Sequence, residues 1–394
     1  MKPLRAGIAI ILLAVAVHGF GGERSLIWSR LYRRARTLED KMNILDSAAR
    51  RPTADLSPML LDAIDELNAM REQVSTTTDT LLHVRLSTKV VQLLGEIGVS
   101  ESAPYIHDVV QNSSDPFLKG EALYALGRIG ADGYAVDIAM LLRNLNLNLD
   151  TGIGKRDAEI VAFGAVLALE RLREPVGYAP LFFASIGWYS PASGVKEKAE
   201  EVMFSLIEDP TEVLLDIVKL ESDTEVKLKA LLAESRSGAP ASGVTRVAEE
   251  SLRQSLLRRP ISINEETVLS QMRLLSMELL VSHGGSSGSL DNLIEVATGA
   301  SFNINERITA INAIAAEASE NAVSALILFL RKQNERQQSG ITPADYRIIR
   351  ATIQMLGQLG DGAAVEELLA VGISDWPQAI ERDAARAIAD IEGQ

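Results

Sequence analysis

The side chains that usually carry chemistry are few in this chain and badly spaced for it. Four histidines occur, His18, His83, His107 and His283, and no two stand at the interval that sets two imidazoles on one helix face for a metal ion. None of the 394 residues is cysteine, which removes thiolate nucleophiles, iron–sulfur clusters and disulfides together. Three short motifs invite a test. Gly284-Gly285-Ser286-Ser287-Gly288 fits G-x-S-x-G, the turn that exposes a nucleophilic serine between a strand and a helix. Here residues 265–282 carry a helical pattern instead, and no histidine follows, so the segment reads as a connection. Gly152-Ile153-Gly154-Lys155-Arg156 lacks the earlier glycine of a phosphate loop and its hydroxyl residue after lysine. Asn146, Asn148, Asp150 and Asp157 match parts of a calcium-loop count, yet Thr151 stands where the tight turn needs glycine. No catalytic, cofactor-binding or metal-binding set is expected, and the chain reads as a protein that is not an enzyme.

Recognition has better candidates. Residues 178–189 (YAPLFFASIGWY) hold 5 of the chain's 18 aromatic residues. Aromatic side chains dominate the energetics of protein interfaces, so Phe182, Phe183, Trp188 and Tyr189 are candidate partner contacts. Gly187 and Pro191 mark a helix end, which predicts Trp188 and Tyr189 as the exposed pair. A second candidate lies near the start. Lys2 and Arg5 precede twelve residues without a polar side chain, 6–17, and Ala14-Val15-Ala16 offers a small-x-small cleavage pattern. That is the anatomy of a signal peptide over residues 1–22, with a periplasmic or cell-envelope destination of the bacterial type. Residues 23–51 then hold eight basic against four acidic residues, a bias that keeps a flank in the cytoplasm, so an uncleaved membrane anchor is the rival. Residues 25–38 read as a basic amphipathic helix. Its Trp28, Arg33, Arg34 and Arg36 are candidate contacts to an anionic membrane.

Charge divides along the chain. The net value is −14; residues 1–22 carry +2 and residues 23–51 carry +4, which leaves −20 on residues 52–394. Such a body repels phosphate, which excludes general nucleic-acid binding, and it attracts basic protein partners.

The elements that must position these groups come from internal repetition. Residues 90–98 (VVQLLGEIG), 122–130 (ALYALGRIG) and 352–360 (TIQMLGQLG) repeat one pattern. Apolar residues fall at offsets that make a single helical stripe, Thr352 excepted. Gly95, Gly127 and Gly357 sit in the last turn, where a second helix can come close, and Gly98, Gly130 and Gly360 end it in the left-handed conformation. The same template predicts helices ending near residues 96, 129, 172, 208, 235, 282, 317, 359 and 391, a spacing of about 37. No segment alternates with period two, so the chain is expected to be all-α.

Residues 122–136, together with Leu356, Gly357, Gly360, Asp361, Ala364 and Val365, resemble the short HEAT-like repeat, with the pattern A-L-x-x-L-G-x-I-G-D-x-x-A-V. The resemblance is strong in three units, weaker in the central five and absent before residue 78. It implies a right-handed α-solenoid of about eight helix pairs over residues 78–394. Residues 23–77 would supply the basic first helix and a capping helical pair. HEAT-like hydroxylases bind iron through repeated His-Glu dipeptides; here histidine is followed by Gly, Val, Asp and Gly, which speaks against that chemistry. Bilin lyases share the repeat, and nothing beyond the repeat carries their activity here. The expectation is a non-catalytic protein-binding scaffold or assembly factor of the cell envelope. The alternative is a lyase-like or small-molecule-binding accessory on the same repeats.

Overall fold

The structure is a computed structural model that describes residues 21–74, 76–147 and 154–393, with side chains from Ser25 onward. The expected leader lies outside the described residues except for its last two positions, and so does the part of the calcium- and phosphate-loop matches at residues 148–153. Among the described residues all regular structure is helical and none is strand. No described helix is long and apolar enough to cross a membrane. The chain divides into two compact units, Met1–Leu206 and Ile207–Gln394.

The first unit contains α1 (Gly21–Arg34), α2 (Leu38–Ala48), α3 (Ser57–Met70), α4 (Thr77–Ile97), α5 (Ala103–Asn112), α6 (Pro116–Arg128), α7 (Ala135–Leu147), α8 (Lys155–Leu172), α9 (Tyr178–Ile186) and α10 (Val195–Leu206). From α2 to α10 the even-numbered helices pack each on the next, forming one row. Odd-numbered helices make a second row, and each lies against the even helix that follows it. The second unit repeats this plan with α11 (Thr211–Leu220), α12 (Thr224–Arg236), α13 (Ala241–Leu257), α14 (Ile263–Ser282), α15 (Leu290–Thr298), α16 (Ile304–Glu317), α17 (Glu320–Gln338), α18 (Tyr346–Leu359), α19 (Val365–Val371) and α20 (Gln378–Glu392). Each unit is thus a stack of helix pairs. No pair can bury its own stripe, so burial comes from neighbours.

Local chemistry explains the rows. Asp115 caps α6 by accepting from the Leu118 amide at 2.8 Å, and Pro116 follows at the first helical position, where its missing N–H costs nothing. Val90, Leu93, Leu94, Ala122, Ala125 and Leu126 are buried, as the stripe requires. Thr352 is buried too, and its hydroxyl donates to the Ile348 carbonyl at 3.0 Å, which satisfies the one polar group in that stripe. The in-turn glycines are points of close approach. A Cβ at Gly95 would lie 3.0 Å from the Ala125 Cβ, one at Gly127 2.8 Å from the Ala168 Cα, and one at Gly357 2.8 Å from the Ala387 Cβ. Gly98, Gly130 and Gly360 take φ of +78°, +67° and +71°.

Two units keep that stop without glycine. Arg173 ends α8 and Ala318 ends α16, both at φ +55°. A side chain in this conformation costs about 1 kcal/mol that glycine avoids. Ala318 is exposed, so no packing is lost with its methyl group. Ala318→Gly is therefore expected to raise stability by about 0.5–1 kcal/mol, read as a higher urea midpoint at unchanged slope.

Candidate functional site

The aromatic stretch is packed into the first unit. Tyr178, Phe182 and Tyr189 are each 1% exposed, and Phe183 and Trp188 are half-buried. The chain leaving α9 turns back over the last turn of α7, whose carbonyls lack partners within their own helix. Trp188 Nε1 donates to the Leu145 carbonyl at 3.0 Å, and the Tyr189 hydroxyl donates to Asn146 Oδ1 at 2.8 Å. Asn146 in turn donates to the Pro180 carbonyl at 2.9 Å. The expectation that Tyr189 is exposed is corrected: the ring closes the end of α7, and its hydroxyl is spent there. Burial, and then the nearby Glu159 charge, hold that phenol above its ordinary range.

The N-terminal candidates separate. Trp28 is half-buried, Arg33 binds Asp62 of α3 with Nε–Oδ2 3.0 Å, and Arg34 and Arg36 are exposed. The histidines do not converge. Buried His83 places Nε2 2.8 Å from the Leu67 carbonyl, His107 lies 3.2 Å from Asp137, and His283 stands at the end of α14. Among the described residues no three His, Asp or Glu side chains are grouped to hold a metal. Ser286 follows a helix, as expected, and its hydroxyl donates to the part-buried Glu249 of α13.

Two concavities bring polar groups together. In the first unit, α3 and α5 border an open cleft of 680 Å³ lined by Asp65, Asn68, Arg71, Glu72, Tyr105 and Asp108. Arg71 donates to Asp108 at 2.6 Å and to Asn68 at 2.9 Å, which leaves Asp65 and Glu72 exposed at the rim.

The second concavity is smaller and more enclosed. A 160 Å³ cavity in the second unit is bordered by Glu221, Ser222, Thr224, Lys227, Gln254 and Arg258, with Leu257, Leu269 and Met272 completing the lining. Lys227 is only 8% exposed. It occupies the stripe of α12 that also buries Thr224, Ala230, Leu231 and Glu234, so the helix carries its ammonium into the stack. Nζ donates to Gln254 Oε1 at 2.8 Å, and Gln254 donates to Glu250 at 2.8 Å. Glu250 also takes Arg253 Nε at 3.0 Å, so that carboxylate is already shared. Burial pushes the Lys227 ammonium below the ordinary lysine range; Arg258 and Arg253 add to this, while Glu250 and, less strongly, Glu221 oppose it. Sequence reasoning missed this site. The available signal was a lysine at a position the helical period assigns to the core.

No family model matches the chain, and no curated protein sequence matches it. Solved structures do, two among them as follows. One is an engineered protein, 13% identical over 94% of this chain and 99% of that one, with a TM-score of 0.34. The other is human deoxyhypusine hydroxylase in complex with glycerol, 13% identical over 95% of this chain and 98% of that one, with a TM-score of 0.25. The expectation that the chain is not an enzyme is withdrawn: one of these neighbours is an enzyme. Similarity of this order assigns the chain no activity.

Proposed function

We propose that this chain is a small-molecule-binding accessory protein built on HEAT-like repeats, and that its ligand is a small anion of the carboxylate or phosphate class held at Lys227. One observation carries the reading: a buried ammonium faces a cavity while a neutral amide, not a carboxylate, accepts its hydrogen bond. Burying a charge is costly unless an opposite charge accompanies it. A bound anion would supply that charge, with the Thr224 and Ser222 hydroxyls in the same lining, where Arg258 is already paired with Glu265 at 2.8 Å and Glu221 is the charge the ligand must avoid. The volume suits a ligand of a few heavy atoms. A right-handed turn to the stacks, about eight pairs in the array, and export to the cell envelope after cleavage near residue 22 belong to this proposal.

Calorimetry with acetate and with inorganic phosphate tests it, on the chain and on Lys227→Met. The chain is expected to bind and to melt higher with ligand, and the variant to do neither. Equal binding by Lys227→Met would overturn the assignment. Stability has its own signature. The folded chain releases the Lys227 proton at lower pH than the unfolded chain does, so between those two values the unfolded state holds more protons. Stability contributed by this group therefore rises with pH toward the ordinary lysine value of 10.5. Lys227→Met removes that rise and is expected to be the more stable protein at neutral pH.

A second reading, a protein-binding scaffold or assembly factor, is favoured by the α3–α5 cleft, whose free carboxylates suit a basic segment of a partner. An oligolysine peptide in the same calorimeter separates the two, because Lys227→Met leaves that titration unchanged and Asp65→Asn with Glu72→Gln weakens it.

A further inference from the structure

One helix face in the first unit is apolar, basic and unpartnered at once. At about 100° per residue, Leu26, Arg30, Arg34, Ile27 and Leu31 of α1 fall within an arc of about 140°. Leu26, Ile27 and Leu31 are 57%, 55% and 45% exposed, three within two turns. The opposite side is anchored. Tyr32 is 1% exposed beneath the Lys41 ammonium, which lies 4.7 Å from its ring centre, and at the edge of the outward face Arg33 is tied to Asp62. So the body fixes which way the face points. Neither Arg30 nor Arg34 has an ion-pair partner among the described residues, in a chain whose net charge is −14.

From this juxtaposition we infer that the outward face of α1 docks on an anionic lipid bilayer. Aliphatic side chains flanked by arginines are what the boundary between headgroups and acyl chains accepts: the former enter it and the latter meet phosphate. Other occupants fit the charges poorly. Residues 1–22 contain no Asp or Glu, so folding them back over α1 would leave both arginines without an anion. A second copy meeting the first through this face would set arginine against arginine. The contact set also differs from the one the sequence suggested: Leu26, Ile27, Arg30, Leu31 and Arg34 carry it, while Trp28 is half-buried and Arg33 is tied to Asp62.

The absence of cysteine makes the test direct. An environment-sensitive fluorophore is placed at Ile27→Cys in the full chain, with Gln92→Cys, exposed on α4, as the control. Vesicles of three parts phosphatidylcholine to one part phosphatidylglycerol are then added. The label at position 27 is expected to report an apolar environment that salt reverses, and the control label to stay silent. Arg30→Gln with Arg34→Gln should lower partitioning about thirty-fold, since each arginine contributes about five-fold near such a surface. Three results would overturn the inference. The protein floats with the vesicles while position 27 stays silent, which leaves residues 1–22 as the binding element. Position 27 is shielded before any vesicle is added, which means protein covers the face. The response is equal on pure phosphatidylcholine, which removes the charge.

Discussion

Arg273→Met is expected to cost the second unit about 3–5 kcal/mol, because it leaves a buried carboxylate without its cation. Arg273 on α14 and Glu306 on α16 are 3% and 1% exposed, and their Nε–Oε1 distance is 2.6 Å. The guanidinium also reaches Glu266 at 2.6 Å and lies over the Phe302 ring, 5.2 Å from its centre. Glu306 does a second task. Its other oxygen accepts the Asn303 amide at 2.9 Å while Asn303 Oδ1 accepts the Glu306 amide at 3.0 Å, the reciprocal cap that starts α16. Methionine fills much of the space but brings no charge, so Glu306 must take up a proton or draw in water. Adding Glu306→Gln should recover most of the loss, since the amide oxygen keeps the cap and no charge is stranded. Urea unfolding combined with hydrogen exchange in α14 and α16 reads both effects. A loss below about 1 kcal/mol would mean that water already reaches the pair.

Leu126→Ala is the second large effect, at about 2–5 kcal/mol. Leu126 is fully buried on α6, which packs between α4 and α8. What sets the cost is whether the neighbours can close the space left behind. Here they are already stopped: Gly127, the next residue, stands where a Cβ would lie 2.8 Å from the Ala168 Cα of α8. On the same helix pair a Cβ at Gly164 would lie 2.6 Å from the Gly120 carbonyl oxygen. Backbones in contact cannot approach further, so the cavity persists and the upper part of the range is expected. Differential scanning calorimetry checks it, and recovery of stability with a small apolar guest would identify the void itself.

Much of the architecture was legible because its signals are local. Helices were expected to end near 172, 282, 317 and 359, and α8, α14, α16 and α18 end at Leu172, Ser282, Glu317 and Leu359. The LG-x-[IL]-G ending was readable because glycine answers two backbone demands within one turn, close approach and positive φ. Where Arg173 and Ala318 take the second of those positions the pattern fades, although the backbone does the same thing. The candidate sites were read less well. Five aromatics within twelve residues suggested a surface, yet Tyr189 closes a turn of α7 some forty residues earlier in the chain. The arginines near α1 were counted correctly, but which of them Asp62 would hold depended on α3.

What the sequence determined by itself was the series of helices and where each one stops, since caps, stripes and glycine endings act over four residues or fewer. Tertiary structure alone decided which polar side chains leave water. Lys227 and Arg273 are ordinary charged residues in the chain. One becomes a buried ammonium beside a cavity and the other half of a buried pair, because α12, α13, α14 and α16 bring surfaces from separate stretches of chain against them. Desolvation depends on everything that surrounds a group, and no single helix supplies that.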